Sequence, residues 1–205
     1  MEQTLALIEQ VRNLSPNAVR LAQLVSLAVQ VEPELLRKAR LELLPRVDAG
    51  VEADLWFSPL VQSENVLALV LLPEVEEVLR QQLSEDQRLL DRAWKVLQKV
   101  HENAPPVIRL EEEIIWLALS KRADSLEVIE QRLLSVIAAI TKQNRLGLAR
   151  WAVSALPRLP KLTHQSRAFW MLAFGAGALL SGRQIVRDEI PKNALENWLS
   201  WALPK

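Results

Sequence analysis

Cysteine and tyrosine are both missing from the 205 residues, histidine occurs only twice, and glycine only five times. Without a thiol there is no disulfide, no thiolate nucleophile and no thiolate metal site, so the core must hold itself without covalent cross-links. Such a composition is expected of a reducing, cytoplasmic setting. The two histidines, His101 and His164, show no HExxH spacing and no neighbouring carboxylate pair in sequence, and are expected to be satisfied surface residues rather than ligands. An excess of either charge is also missing, because 25 Lys and Arg balance 25 Asp and Glu. The weak long-range field that results disfavours non-specific binding to nucleic acid or anionic lipid. The longest uncharged stretch, Ala168 to Gly182, falls short of the roughly 20 residues that a bilayer span needs. It is expected to form a buried core helix, with its glycines allowing close packing. The opening MEQTLALIEQ has no basic region ahead of an apolar run, so it reads as a first helix and not as a secretory signal.

What is present is helical periodicity. Half of the residues are apolar, and they recur three and four apart between punctuating Pro, Asn and Ser residues. The pattern predicts an all-α protein, a multi-helix bundle or irregular helical array of about nine or ten helices. The first helix runs to about Leu14. Ser15-Pro16 then supplies a cap and a first-turn proline for a second helix reaching about Gln30, and Glu32-Pro33 opens a third that Pro45 stops. Ser84 with Gln87, and Asp124 with Glu127, have capping-box spacing ahead of two further apolar stripes. Additional helices fit Val107 to Lys121, Arg145 to Leu156, Ser166 to Leu180 and Pro191 to Leu203. Residues 50–73 break the rhythm and are expected to be irregular, since Ser58-Pro59 forbids a continuous helix and VLALVLL is too short to separate strand from buried helix. A single domain over 1–205 is expected, with sub-lobes 1–83 and 84–205, as the N-terminal part of a longer protein. No repeat signature is present.

Chemistry-bearing motifs are scarce. There is no GxSxG, no Gly-rich phosphate loop with a lysine and no GxGxxG after a strand. The acids Glu111 to Glu113 are expected to form a solvated helix start, because adjacent helical residues point in different directions rather than converging on a metal. No catalytic, cofactor-binding or metal-binding residue is assigned, and the chain is not expected to be an enzyme on its own. Seven tryptophans against three phenylalanines are unusual. Most of them sit on apolar stripes and are expected in the core, while Trp198 and Trp201 would close that core or pack on a following domain. Arg145, Arg150, Arg158, Lys161 and Arg167 would have to gather on one face for nucleic-acid binding, the second reading. A hydrolytic or metal-dependent enzyme, the third, would need facing His, Asp or Glu side chains in a pocket.

The stretch GVEADLWFSPLVQS, Gly50 to Ser63, has no helical period to explain it. As a structural corner, Asp54 or Ser58 would bond backbone amides, Trp56 and Phe57 would plug the core, and Pro59 would set the exit direction. As a docking site, the Trp56-Phe57 pair would be an exposed aromatic anchor; burial of most of Trp56 would count against that role. The wider segment resembles a known family. Arg37 and Arg40 in LLRKARLELLP, the approach Gly50-Val51-Glu52-Ala53-Asp54, the words DLWFSPLV, and LLPEVEEVLR from Leu71 to Arg80 are similar to the all-helical N-terminal region of bacterial, cyanobacterial-type proteins carrying a formylglycine-generating-enzyme-like domain. Some of these are variable proteins of diversity-generating retroelements. The resemblance implies a helical adaptor that couples a C-terminal C-type-lectin-like recognition domain to protein partners, a MoxR-type ATPase or a von Willebrand factor A protein, in a conflict or defence system. From the missing motifs and the short apolar stretch, no cofactor and no membrane partner are expected. The C-terminal domain has no counterpart here, so its own activity does not carry over.

Overall fold

The computed structural model describes residues 2–65, 67–143 and 146–181, and the chain divides into two compact units, the first ending at Ser120 and the second beginning at Lys121. Among the described residues there are ten α-helices and one two-stranded hairpin. The first unit holds α1 (Glu2–Leu14), α2 (Pro16–Val25), α3 (Pro33–Leu43), α4 (Gly50–Trp56), strands β1 (Val61–Glu64) and β2 (Leu69–Leu71), α5 (Pro73–Leu83), α6 (Gln87–Val100) and α7 (Pro106–Leu119). Helices α2, α3, α5 and α7 each begin on a proline, where the absent N–H is one the helix would leave unpaired anyway. Helix α2 is central and packs on α1, α3, α4, α5 and α6. Its Ala18, Leu21 and Ala22 are wholly buried. Leu21 contributes about 1.5–3 kcal/mol by leaving water. The seam expected near Leu83 lies inside this unit, where α5 and α6 both pack on α2.

Two boundaries differ from the sequence reading. Helix α2 stops at Val25 rather than near Gln30, because Ser26 turns back to Gln23 through both its N–H and its hydroxyl. The chain is then extended at Glu32, as a residue before proline prefers. Helix α6 starts at Gln87 rather than Ser84. The true cap is Asp86, whose carboxylate accepts the Leu89 N–H at 3.0 Å, while Ser84 closes α5. Once capped, α6 buries Leu90, Ala93, Trp94, Val96 and Leu97, against an expected stripe of Leu90, Ala93, Trp94, Leu97 and Val100.

The segment expected to be irregular is ordered. Residues 50–56 form α4, and the chain returns as an antiparallel hairpin with Val61 opposite Leu71 and Glu64 opposite Leu69, kinked by a bulge between Val61 and Ser63. Asn65 shapes the tip by accepting N–H bonds from Leu67 and Ala68. In β2, Leu69 and Leu71 are buried and Val70 is half-buried, the period of two that an all-aliphatic run conceals. The other edge of Leu69 bonds Val31, with N–H to oxygen distances of 2.9 and 3.0 Å, so β2 joins β1 to the α2–α3 connection.

The second unit contains α8 (Ser125–Gln143), α9 (Leu146–Ala155) and α10 (Arg167–Ser181), with short 3-10 turns at Leu156–Arg158 and Lys161–Gln165. Helix α10 packs on α8 and α9. Its start is capped twice. The Ser166 hydroxyl oxygen accepts the Phe169 N–H at 3.2 Å, and Glu130 of α8 accepts bonds from the Ser166 hydroxyl and the Ala168 N–H. The expectation that this stretch is a buried core helix needs correction. Only Ala168, Phe169, Leu172 and Ala176 are buried, and Leu179 and Leu180 are exposed. Between α8 and α10 lies an open apolar groove of about 200 Å³, lined mainly by Ile137, Ile140, Met171, Gly175 and Leu179. The expected helix at Pro191 to Leu203, with Trp198 and Trp201, lies outside the described residues. No helix among the described residues is long and apolar enough to cross a membrane.

Candidate functional site

The corner around α4 is built by short polar ties over an aliphatic base. Arg40 on α3 donates to Glu52 at 2.6 Å and to the Val47 carbonyl at 3.2 Å, joining α3, the following loop and α4 through one guanidinium. Asp48 accepts the Gly50 N–H at 2.6 Å, an Asx turn that starts the helix, and a Cβ at Gly50 would lie 2.8 Å from that carboxylate oxygen. Near the other end, the Ser15 hydroxyl donates to Asp54 at 2.8 Å, across 39 residues of sequence. Ser58 accepts the Leu60 N–H, and its carbonyl accepts the Val61 N–H, turning the chain into β1. Beneath these ties Val51, Leu55 and Leu60 are buried.

The candidate residues therefore divide. Asp54 bonds a hydroxyl and Ser58 a backbone amide, while Pro59 is exposed at the exit. Trp56 is mostly buried, which counts against it as an exposed anchor, whereas Phe57 is 76% exposed. Phe57 thus does not plug the core; Leu55 and Leu60 do, and Phe57 is presented to solvent by the corner they anchor. Leu14, beside the Ser15 tie, is 82% exposed. Of the residues that carry the family resemblance, Arg40, Glu52 and Asp54 are structural ties, and Arg37 is exposed.

Sequence reasoning missed a second cluster. His101 is not a surface residue. It is 4% exposed, with Nδ1 2.9 Å from Glu112 and Nε2 2.8 Å from Glu32. Nor are Glu111 to Glu113 a solvated helix start, since Glu111 and Glu112 are buried. Burial acts to lower the ring's pKa, but the bonds to Glu112 and Glu32 and their charges outweigh it and raise it to about 9. At Glu32 burial acts to raise the pKa, and the bond and charge of His101 outweigh it, leaving that carboxyl below its ordinary range. Near neutral pH the ring is an imidazolium donating from both nitrogens. With both engaged, it has no lone pair to offer a metal or to take a proton from a substrate. Among the described residues, no group of three or more His, Cys, Asp or Glu is placed to hold a metal ion.

The same region carries further buried ties. Glu112 also accepts the Val29 N–H at 3.1 Å, Gln30 donates to Glu32 at 2.8 Å, and Arg80, paired to Glu76 at 2.9 Å, donates to the Ser26 carbonyl at 2.6 Å. The connection from Ser26 to Glu32 is thus clamped by side chains of α5, α7 and the turn after α6. One signal in the sequence pointed there. Glu112 stands three residues before Ile115, on the stripe where an apolar residue belongs.

Elsewhere, Trp94 and Trp116 stack at 5.2 Å with planes 9° apart, and Trp116 donates to Asp91. His164 is exposed, as expected, and lies against Phe169 and Trp170. Trp94 is buried, while Trp116, Trp151 and Trp170 are half-buried rather than sealed in a core. Arg150, Lys161 and Arg167 are exposed, on α9, a 3-10 turn and the first residue of α10, Arg158 is half-buried, and Arg145 lies outside the described residues. Compared with protein-family models, curated proteins and solved structures, the chain matches none.

Proposed function

We propose that this chain is a non-catalytic protein-interaction domain and that the corner from Asp54 to Pro59 is its docking surface. The observation that carries the reading is Phe57, a large aromatic left 76% exposed on a segment that Arg40, Glu52, Ser15 and Asp54 hold in place. An aromatic anchor on a preorganised backbone loses little entropy on binding, and aromatics supply much of the energy of interface hot spots. Pro59, two residues on from Phe57, is also exposed, and the exposed Asp54 supplies a charged rim. Following the resemblance in sequence, the partner is a MoxR-type ATPase or a von Willebrand factor A protein, and the domain couples it to a C-type-lectin-like recognition domain.

The test is titration of the purified protein against purified MoxR-type ATPase and von Willebrand factor A protein from the same genome, alongside Phe57→Ala. The variant is expected to fold normally, because exposed substitutions cost within about 0.5 kcal/mol. It is expected to weaken binding by at least about tenfold, the loss of roughly 1.4 kcal/mol at one anchor. If folded wild type binds neither protein, the adaptor reading with these partners is wrong; equal binding by the variant would move the interface away from the corner.

A further inference from the structure

The His101 cluster has a geometry that a static brace does not require. Its two carboxylates are unequal. The Glu112 side chain is 1% exposed and also holds the Val29 N–H, whereas the Glu32 side chain is 28% exposed and has Gln30 as a second partner. Glu32 directly follows Val31, whose backbone makes the two bonds to Leu69 of β2, and β2 pairs with β1 next to the Phe57 corner. We propose that Glu32, His101 and Glu112 form a proton-gated latch that holds the α2–α3 connection, and with it the Val31–Leu69 bridge, in place.

With the ring doubly protonated, both N–H groups donate and the latch is closed. When the ring loses one proton, only one donor remains, and a lone pair then faces a carboxylate. The proton stays on Nδ1, because Glu112 is the buried partner and a buried carboxylate without its donor costs most. Nε2 then turns a lone pair toward Glu32, which has solvent within reach and swings away, freeing Val31. The charges acting on the ring are Glu112 on α7 and Glu32 just before α3. The ring's pKa is raised, so the latch's contribution is complete below about 6.5 and is lost as pH rises toward about 9. Glu32 is lowered, so its contribution is present above the ordinary carboxylate value of 4.5 and is lost as pH falls through its folded value. The closed latch is therefore strongest between these limits. This inference does not depend on the docking reading.

Nitrogen-15 NMR of the imidazole, with hydrogen exchange of backbone amides corrected for intrinsic rate, tests it. The ring is expected to titrate near 9 and to keep its Nδ1 proton. Exchange protection at Val31 and Leu69 is expected to fall about tenfold between roughly pH 7 and pH 8.5, while amides of α2 change less. Glu32→Gln is expected to bring the ring's titration down and to loosen Val31 at lower pH, and His101→Gln to flatten the pH dependence at both amides. A ring titrating at or below 6.5, or protection at Val31 and Leu69 that is flat or falls only in step with the whole unit, would overturn the latch. Should His101→Gln fail to fold, wild type and Glu32→Gln still decide it.

Discussion

The two units treat apolar sequence differently. In the first, α6 alternates charge with aliphatics, and the residues it buries are close to those its stripe predicts. In the second, α10 has no charged residue after Arg167, yet buries only Ala168, Phe169, Leu172 and Ala176 along its length. A helix apolar on every face is normally enclosed. The first unit goes further and buries charge, pairing Arg80 with Glu76 and His101 with Glu112. Amphipathicity reports packing only where one face meets water; where all faces are apolar, it does not say which face is covered.

Paired truncations would break that comparison most sharply. Leu21→Ala in α2, at a site with no solvent exposure, is expected to cost about 2–5 kcal/mol in urea unfolding. Leu179→Ala in α10, at 38% exposure, should cost under about 1 kcal/mol. Comparable losses would mean that the α10 face is covered in solution. Next in size is Arg40→Gln, which removes the charged bond to Glu52 and weakens the hold on the Val47 carbonyl. A loss of about 1–3 kcal/mol is expected, with faster amide exchange in α4 than in α2. The smallest effect is at Lys121, which adopts the left-handed region, φ 52°, just after α7. Lys121→Gly should raise the melting temperature by the equivalent of about 0.5–1 kcal/mol, because glycine takes that conformation without a Cβ penalty.

Helix starts were legible because proline at the first turn has a local cause, as at Pro16 and Pro33. Caps were less so. Ser84, Glu85 and Asp86 precede α6 in a row, and the choice of Asp86 follows from where α5 ends. The hairpin was obscured because Leu69, Val70 and Leu71 are all aliphatic, so alternation in burial leaves no mark in hydropathy. In the corner, DLWFSP was recognisable as unusual, but which aromatic faces out depends on Leu55 and Leu60 filling the space below. His101 was misread for another reason. Its partners lie 69 and 11 residues away, and a local search for carboxylates cannot see a contact made by folding.

The parallel indoles of Trp94 and Trp116 have an optical consequence. Two identical chromophores at 5.2 Å couple their excited states, so they should add an exciton couplet to the far-ultraviolet circular dichroism and transfer excitation between themselves. The helical bands would then carry a signal that belongs to side chains. Loss of that couplet with the helical signal retained would mark α6 and α7 parting while each keeps its own backbone, giving this pair of helices a spectroscopic signature of its own.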